Sequence, residues 1–518
     1  MLIPASVRRK VGERLVATGR RLLLPRPAAP TASVDEQPWR HPYLTTENLR
    51  RFRAFSEGVW EVALAHAAAS ERPLRCAFSV NMNQSMYKWA RLAKQHGADV
   101  ELFLNPMDGT AINLPAWEDY DGEFDDVLDG ERFERSLRQP HVPGVRCRRT
   151  ALDGADFLTC VQAFVAGDRR PLLALLAGTP GLRHEVLVGH TACYPYYEWA
   201  RAMADFDVVY AASHAFAAYA SGRPYCVFSV GGDLIYDCGR GDDYGAAAVL
   251  SFNAARFLTL TNPHPLAHCR RLGLTNAVYL PYPMDDDRYS PGPGIARAEW
   301  RERSGGEVFV LGTARLDTKW KGQGEDLLAA LATVARHCTA VRFVFLAWGE
   351  SASQFRERLQ ASDVKDRCLL LPPVGKQRLI DYYRSADVVL DQMVLGYCGA
   401  TALEAAAVGR PVVMRLRTEH YDPLYRGDVA PVVPVTPAEL GEALTALVRD
   451  REGREDRGRA MRAWLVRNHG AQRAVPRMLA LLRLAADRVP LPHDLVSPLL
   501  DPLGEAERRY HAACATTS

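Results

Sequence analysis

Apolar and polar positions along this chain repeat in two successive series of strand and helix patterns. The first series begins with the apolar run RCAFSV at 75–80, a helical pattern over MYKWARLAKQHG, and a second apolar run, DVELFLN, at 99–105. Four further runs with the length of buried strands lie at 207–212, 225–230, 256–261 and 277–283. An apolar run, a helix and another apolar run are typical of a β-α-β unit, so this series predicts a parallel sheet.

The second series begins at residue 307 and has the same alternation. Its predicted strands lie at 307–316, 341–349, 367–374, 388–393 and 410–416. Helical patterns separate several of them, at 324–337, 377–387 and 401–409. We therefore predict an α/β protein with two Rossmann-like doubly wound domains that face each other across a cleft. Ligands of this architecture bind at the carboxyl ends of the strands.

The chain of 518 residues is too long for one hydrophobic core. The proline- and glycine-rich stretch SPGPGIA, which follows Tyr289, marks the junction between the two series. The predicted parts are a helical, basic N-terminal extension, an N-terminal Rossmann-like domain, a C-terminal Rossmann-like domain, and a C-terminal helix with a tail. Their predicted limits are 1–72, 73–290, 291–475 and 476–518.

Composition and cysteine spacing narrow the class of protein. The chain is 48% hydrophobic and 24% charged, as in ordinary globular proteins. A net charge of +3 gives no argument for a nucleic-acid partner. The 11 cysteines contain no CxxC pair, which favours reduced thiols in a cytoplasmic protein over a disulfide framework or a zinc site. No apolar run reaches the roughly 18 residues that a membrane span requires.

The first 24 residues combine basic and apolar positions. Five apolar side chains fall roughly on one helical face: Val7, Val11, Leu15, Leu22 and Leu23. Arginines surround them at positions 8, 9, 14 and 21. This pattern predicts a peripheral contact of residues 1–24 with an anionic surface such as the inner face of the plasma membrane. The alternative is a solvated basic arm or a helix docked on the body, which Gly12 and Gly19 favour because glycine weakens a helix.

Two common nucleotide-binding fingerprints are missing from the loops where they would be expected. The loop after the first strand of the first series reads NMNQSMYK, and the corresponding loop of the second series reads TARLDTKWKGQG. Neither contains GxGxxG, and the chain has no GxxxxGK[ST]. These absences disfavour a nicotinamide-dependent dehydrogenase and a P-loop NTPase.

The loop GTARLDTKWKG follows the first strand of the second series and carries Arg315, Lys319 and Lys321. Arginine binds phosphate oxygens as a fork and lysine as a point charge, so Arg315 and Lys321 suit a diphosphate. Two of the seven lysines of the chain lie in this loop, although the chain otherwise uses arginine. The alternative is that these residues form a solvated basic loop. Because the loop follows the end of a strand, we favour a phosphate site over that alternative.

Three motifs of the second series carry a family resemblance: ARLDTKWKG, LPPVGKQRLIDYYRSADVVL and GATALEAAAVGRPVV. In order and spacing they resemble the donor-binding half of the retaining GT-B glycosyltransferases of family four. The N-terminal half is similar more loosely, through its first β-α-β unit and LPYPMDDDRYSP. The resemblance implies that the C-terminal domain holds a nucleotide-diphosphate sugar and the N-terminal domain holds the acceptor.

Glu404 stands alone in the small-residue stretch GATALEAAAVG. The resemblance implies that Glu404 binds the ribose hydroxyls of the donor, and it adds Val374 to the donor site. Small residues at the helix start would let backbone N–H groups approach the phosphates or the sugar: Gly399, Ala400, Thr401 and Ala402. The alternative is a capping box, in which Thr401 caps the helix and Glu404 returns to a backbone N–H.

The chain departs from the family pattern at one position. The family's Glu-x7-Glu motif has its first glutamate eight positions before the second, where this chain has Gly396. That first glutamate touches the transferred sugar in the family, so the identity of the sugar stays open. Asp391 and Gln392, at the end of the preceding strand, are candidates for polar contacts to the sugar. The alternative for Asp391 is a strand-end cap.

The N-terminal half offers weaker candidates. Asn81 and Asn83 lie in the first strand-to-helix turn, and Asn83 is assigned to donor binding because asparagine tolerates left-handed backbone and donates hydrogen bonds. Asp233 in SVGGDL and His214 in ASHAF follow strands and are candidates to orient an acceptor hydroxyl. A structural role is the alternative for each.

The resemblance implies transfer of a sugar from a nucleotide-diphosphate sugar to an acceptor hydroxyl with retention at the anomeric carbon. Arg315, Lys321 and the helix start near Ala400 would stabilise the leaving diphosphate, with Asp233 as a further catalytic candidate. No nucleophile is evident, which fits a front-face mechanism. The nucleotide sugar is a co-substrate, and neither cofactor nor metal is expected. The acceptor stays open among a glycan, a lipid-linked molecule and a small molecule.

Three alternatives remain. The missing first glutamate fits a GT-B pseudoenzyme that binds a sugar nucleotide or a partner without transfer. A nucleotide-sugar epimerase would use the same two-domain fold without an acceptor. The acidic stretch MDDDRY at 284–289 would serve a metal-dependent GT-A transferase, although a connection between the domains explains it as well.

Overall fold

The structure is a computed structural model. It describes residues 38–104, 111–124, 145–149, 168, 170, 197–213, 215–240, 243–318, 321–322 and 325–516. The predicted membrane arm at 1–24 lies outside the described residues, as do Lys319 and His214.

Two parallel sheets organise the described chain. The strands of the first sheet are β1 (Arg75–Ser79), β2 (Asp99–Leu104), β3 (Arg146–Arg149), β4 (Val208–Ala212), β5 (Tyr225–Phe228), β6 (Phe257–Leu260) and β7 (Ala277–Tyr279). Those of the second are β8 (Val308–Gly312), β9 (Val341–Leu346), β10 (Cys368–Leu371), β11 (Val388–Leu390), β12 (Val412–Met414) and β13 (Val433–Pro434).

The helices connect these strands. The described α-helices are α1 (Thr46–Ala68), α2 (Ser85–Gln95), α3 (Pro115–Asp119), α4 (Tyr197–Met203), α5 (Phe216–Ala220), α6 (Asp243–Asn253), α7 (Pro265–Leu272), α8 (Ala296–Ser304), α9 (Glu325–His337), α10 (Ala352–Gln360), α11 (Lys376–Ser385), α12 (Ala400–Ala407), α13 (Thr418–Tyr425), α14 (Leu440–Arg449), α15 (Arg451–His469), α16 (Ala471–Ala486) and α17 (Glu505–Thr516).

The strand orders are those of doubly wound sheets. The first sheet has the order β3-β2-β1-β4-β5-β6-β7 and the second β10-β9-β8-β11-β12-β13. In both sheets the first strand of the series is central and the order reverses beside it, at β1/β4 and at β8/β11. The predicted α/β class with two Rossmann-like domains is therefore confirmed. The crevice at such a reversal point is the usual ligand site of this architecture.

By packing, the chain forms two compact units. The first comprises residues 1–109, 142–280 and 476–518, and the second comprises 110–141 and 281–475. The second unit thus includes a segment that lies between β2 and β3 in the sequence. The four domain limits given from the sequence remain a proposal.

The central strands are apolar because helices cover both of their faces. In the second unit, Val310, Phe343, Val388 and Val413 are buried in one cluster with side chains of α9 and α14. This core fixes the strand ends, and the loops that leave the carboxyl ends of the strands carry the candidate side chains. Among the described residues, no helix combines the length and apolarity needed to cross a membrane.

Candidate functional site

The second unit brings most of the candidate side chains to the carboxyl edge of its sheet. Thr313 follows β8, Val374 lies beyond β10 and Asp391 follows β11. Strands β8 and β11 pair directly, so Thr313 and Asp391 leave neighbouring strands at the point where the strand order reverses. Helix α12, which contains Thr401 and Glu404, begins ten residues after β11 ends, at Ala400.

Glu404 is at the centre of a buried polar group. Its side chain is 1% exposed, and the Lys376 ammonium donates to both carboxylate oxygens, at 2.6 Å to Oε1 and 2.8 Å to Oε2. The Tyr383 hydroxyl donates to Oε2 at 3.2 Å. Thr313 Oγ1 lies 2.9 Å from the Tyr383 hydroxyl and 3.5 Å from Thr401 Oγ1. The lone glutamate therefore has a charged partner that stabilises it in the interior.

The capping-box alternative for Glu404 is wrong. The N-cap of α12 is Gly399, which has no side chain to cap the helix, and Thr401 is the second residue inside the helix. The Glu404 carboxylate accepts hydrogen bonds from Lys376 and Tyr383, which both lie in α11. The glutamate is therefore held by tertiary contacts.

Small residues form the start of α12, as the sequence predicts. Gly399 is half-buried, Ala400 is exposed, Thr401 is half-buried and Ala402 is buried. The first N–H groups of a helix have no partner within it and carry partial positive charge. Because these four residues have small side chains, the helix start leaves room for an anionic group to approach the backbone.

Asp391 lies against the same helix start. Its side chain is buried, and its Oδ2 would be 4.0 Å from a Cβ built on Gly399. Burial raises the pKa of the Asp391 carboxyl, while the Lys321 ammonium and the backbone N–H groups of Gln392 and Ala402 oppose that rise. The structure therefore places Asp391 and Lys321 close enough to interact electrostatically.

Two main-chain hydrogen bonds hold the backbone of Lys321. Its carbonyl accepts a hydrogen bond from Met393 N at 2.8 Å, and its N–H donates to Asp317 O at 3.2 Å. The loop after β8 is thereby joined to the loop after β11. Arg315 is exposed and pairs with Asp317, with 3.3 Å between Nη2 and Oδ2. Asp317 was not predicted as a site residue, although Asp317 lies two positions after Arg315 in the same motif.

Gly396 differs from the family pattern for a structural reason. Its φ is +81°, a left-handed value that disfavours other residues, and a Cβ at this position would lie 2.6 Å from Arg417 Cγ. Gln392 also serves this loop: its Nε2 donates to Tyr397 O and Arg415 O, and its Oε1 accepts from Gly396 N. The Gln392 amide therefore holds the loop, which argues against its use as a sugar contact.

Val374 is buried, and its backbone contacts a segment that the sequence analysis did not recognise. The Val374 carbonyl accepts a hydrogen bond from Trp117 Nε1 at 3.1 Å, and Val374 pairs with Glu123 in an antiparallel bridge. Sequence reasoning missed several partners of the candidate residues, among them Trp117, Lys376 and Tyr383. The scarcity of lysine was a usable signal for Lys376, but nothing local to the sequence indicates the other two.

The remaining candidates, Asn83 and Asp233, belong to the first unit. Asn83 is exposed and has a φ of +49°, in agreement with the predicted tolerance for left-handed backbone. Asp233 is buried, and burial raises its carboxyl pKa to about 6. Its carboxylate accepts hydrogen bonds from Ser229 Oγ at 2.7 Å and from Leu234 N at 2.9 Å. These bonds hold the Asp233 side chain in the turn after β5.

The acidic stretch at 284–289 is used in packing. Asp285 Oδ1 accepts from Arg288 N at 3.1 Å, and Asp286 Oδ1 accepts from Ala471 N at 2.7 Å. Within the described ranges, no group of three or more His, Cys, Asp or Glu side chains is placed to hold a metal ion.

Comparison with known families identifies the second unit. Residues 307–450 match the model of the family described as glycosyl transferases group 1. This part of the chain is therefore similar to the glycosyltransferases of this family, and the predicted resemblance to GT-B enzymes of family four is confirmed. The matched range contains the Lys321 loop, Asp391 and Glu404.

Two curated relatives are similar to parts of the chain. D-inositol 3-phosphate glycosyltransferase of Xylanimonas cellulosilytica is 32% identical over 228 residues, which are 41% of this chain and 52% of the relative. Mannosylfructose-phosphate synthase of Agrobacterium fabrum is 29% identical over 147 residues, which are 26% of this chain and 32% of the relative. The chain thus spans about half of the first relative and less of the second.

Solved structures with the same fold are similar to residues of both units. Anabaena HepE in complex with UDP and glucose has a TM-score of 0.52 at 14% identity, covering 79% of this chain and 98% of that one. Sucrose-phosphate synthase from Thermosynechococcus elongatus has a TM-score of 0.52 at 16% identity, covering 80% of this chain and 100% of that one. At such identities the likeness shows the fold alone.

Proposed function

We propose that this protein is a glycosyltransferase that moves a sugar from a nucleotide-diphosphate sugar to an acceptor hydroxyl, with retention at the anomeric carbon. The observation that carries the proposal is the buried Glu404 carboxylate, held in place by Lys376 and Tyr383 beside the small-residue start of α12. This group lies inside the range that matches a glycosyltransferase family. We assign a part of the nucleotide-diphosphate donor to each of the residues that form this group.

The proposed donor contacts follow the chemistry of the second unit. Glu404 accepts a hydrogen bond from the ribose, because a carboxylate can accept about four hydrogen bonds and Lys376 and Tyr383 donate three. The N–H groups at the start of α12 and the Lys321 ammonium bind the diphosphate, and Arg315 adds a guanidinium on the same loop. Val374 and Asp391 complete the donor site, Val374 through its backbone and Asp391 next to the sugar. In the first unit, Asn83 remains a proposed donor contact and Asp233 a proposed catalytic residue.

The proposed mechanism relies on stabilisation of the leaving group. Breaking the bond between the anomeric carbon and the diphosphate places negative charge on phosphate oxygens, which Lys321, Arg315 and the helix start would stabilise. The acceptor hydroxyl then attacks from the face that the diphosphate leaves, and the leaving phosphate takes its proton. This sequence keeps the anomeric configuration and needs neither a protein nucleophile nor a metal ion.

The donor and acceptor classes are inferred from related proteins. HepE was solved with UDP and glucose, which supports UDP-sugars as the first donors to test. The curated relatives are named for inositol 3-phosphate and for mannosylfructose-phosphate, which supports a small phosphorylated or hydroxyl-rich acceptor, besides a glycan or lipid-linked one. The proposed location is the cytoplasm, where nucleotide sugars would be the co-substrates and no cofactor would be required.

A donor panel tests the proposal. The thermal stability of the protein is measured with UDP-, GDP- and ADP-sugars, and a donor present at 100 times its dissociation constant should add about 2.7 kcal/mol to the free energy of unfolding. The donor that stabilises the protein is then incubated with candidate acceptors, and product is followed by NMR. Transfer with the same anomeric configuration as the donor is expected. Inversion would contradict the mechanism, and no stabilisation by any donor would contradict the function.

A sugar-nucleotide-binding pseudoenzyme is the second candidate. The observation in its favour is Gly396, where the left-handed backbone and the Arg417 side chain leave no room for the family's glutamate. Such a protein would be stabilised by a donor and would release no nucleoside diphosphate with any acceptor. An epimerase, in contrast, would change the donor without an acceptor. Turnover of the donor measured with and without an acceptor therefore separates a transferase, a pseudoenzyme and an epimerase.

The N-terminal arm leads to a separate prediction. If residues 1–24 form an interfacial helix, their deletion should abolish binding to anionic liposomes and leave activity on a soluble acceptor unchanged. Co-sedimentation with anionic vesicles measures the effect, and neutral vesicles serve as the control because the basic side chains should bind only an anionic surface. Equal sedimentation of the full-length and truncated proteins would exclude the membrane contact.

A further inference from the structure

Residues 111–124, which we call the bracing segment, pack on the loop between β10 and α11. Phe124 N donates to Pro373 O at 2.8 Å, and Gly375 N donates to Gly122 O at 2.9 Å. Gln377 N donates to Tyr120 O at 3.2 Å. These main-chain bonds fix the backbone on both sides of Lys376, the first residue of α11.

Gly375 shows how close this contact is. A Cβ on Gly375 would lie 2.1 Å from the Tyr120 carbonyl oxygen, so only glycine lets the two backbones approach this far. Trp117, in the short helix α3 of the bracing segment, adds its Nε1 bond to the Val374 carbonyl. The loop that begins α11 is therefore held by main-chain and side-chain bonds from one segment.

The same segment covers the side chain of Lys376. The Trp117 ring centroid lies 5.0 Å from the Lys376 ammonium, a distance at which a cation and an aromatic ring attract each other. The Lys376 side chain is 7% exposed. On its other side the ammonium donates to both oxygens of Glu404. Lys376 thus lies between an aromatic face and a carboxylate, with little access to water.

This arrangement matters for the ionisation of Glu404. A buried carboxylate without a counter-charge takes up a proton, because water no longer stabilises its charged form. Ribose hydroxyls require a hydrogen-bond acceptor, and a protonated carboxyl accepts fewer hydrogen bonds than a carboxylate. Lys376 is a cation in direct contact with Glu404, and its two bonds set the plane of the carboxylate. Tyr289, Tyr383 and Asp391 also interact electrostatically with Glu404, and none of them is a cation.

We propose that Lys376 is a positioning residue of the donor site: held by Trp117 and the bracing segment, it keeps Glu404 ionised and oriented toward the donor ribose. The proposal rests on the proposed function, since it assumes that Glu404 binds the donor. It assigns Lys376 no contact with the reacting atoms. A carboxylate accepts about four hydrogen bonds, of which Lys376 and Tyr383 supply three, so one bond to the ribose is compatible with the bonds to the ammonium.

A double-mutant cycle on Lys376 and Glu404 tests the proposal. UDP and GDP are titrated by calorimetry into the wild type, Lys376→Met, Glu404→Gln and the double variant between pH 6 and pH 9. We expect Lys376→Met to weaken nucleotide binding roughly tenfold at pH 7. Affinity should recover as the pH rises, because the uncompensated Glu404 then ionises. In the Glu404→Gln background, Lys376→Met should cause no further loss.

Two matched variants serve as controls. Lys365→Met removes an exposed lysine next to the amino end of β10 and should leave affinity unchanged at every pH. Lys376→Arg keeps a cation and should retain more affinity than Lys376→Met, without its dependence on pH. If Lys376→Met does not fold by circular dichroism, the double variant still decides, because it leaves no unpaired buried charge and is compared with Glu404→Gln alone.

The outcomes are distinct. Wild-type affinity in Lys376→Met at all pH values would overturn the positioning role while leaving the proposed function intact. Equal losses from Lys376→Met in both backgrounds would also overturn it, since Lys376 would then act independently of Glu404. Absence of nucleotide binding by the wild type, across UDP, GDP and the donor panel, would instead count against the proposed function itself.

Discussion

Lys321→Ala is expected to lower the turnover number about 100-fold or more and to leave the fold intact. Removing one group that stabilises charge in a transition state typically costs this much, and Lys321 is proposed to face the leaving diphosphate. The fold should survive because the loop is held by main-chain bonds, from Met393 N to Lys321 O and from Lys321 N to Asp317 O. Steady-state kinetics and circular dichroism measure the two effects.

Lys365→Ala is the matched control for this prediction. Lys365 is an exposed lysine of the same unit, next to the amino end of β10 and outside the candidate site. Its removal should change turnover by less than about twofold, because exposed charges far from the reacting atoms have small effects. Near-normal turnover of a folded Lys321→Ala protein would remove Lys321 from the catalytic machinery.

Glu404→Gln should reduce both donor affinity and stability. The ribose interaction changes from a charged to a neutral acceptor, which should weaken donor binding by about 1–2 kcal/mol, or about 5- to 30-fold. The substitution also leaves the buried Lys376 ammonium without its counter-charge, and breaking such a pair costs about 3–5 kcal/mol. Calorimetric titration of the donor and chemical denaturation measure the two losses.

The double variant separates the two effects of Glu404→Gln. Lys376→Met in the Glu404→Gln background removes the uncompensated charge and should restore part of the lost stability without restoring donor affinity. A Glu404→Gln protein that binds the donor like wild type would show that Glu404 serves only the buried ion pair. The donor site would then have to be sought elsewhere.

The fold was largely predictable because strands buried on both faces leave continuous apolar runs. The limits of the strands were less predictable. The second series predicts a strand at 388–393, but β11 ends at Leu390. Main-chain hydrogen bonds to β12 continue beyond Leu390, from Asp391 N to Val413 O and from Arg415 N to Gln392 O. The predicted limit is therefore close to the end of the main-chain pairing, although β11 itself is shorter.

The candidate site was predictable where motifs are continuous in sequence. The small residues before Glu404 and the lysine-containing loop could be recognised because each lies within one short stretch. The Lys376–Glu404 pair could not, since its members are 28 positions apart and the attraction depends on burial. The bracing segment was equally hidden, because it lies between β2 and β3 in sequence and packs with the second unit.

The crystal structure of the protein bound to the nucleotide sugar that stabilises it most is the measurement that tests the account most directly. The account predicts ribose hydroxyls within hydrogen-bond distance of the Glu404 carboxylate. It also predicts the diphosphate against the Lys321 ammonium and the first N–H groups of α12. A nucleotide bound with its ribose away from Glu404, or with its diphosphate away from Lys321, would contradict the proposed donor site.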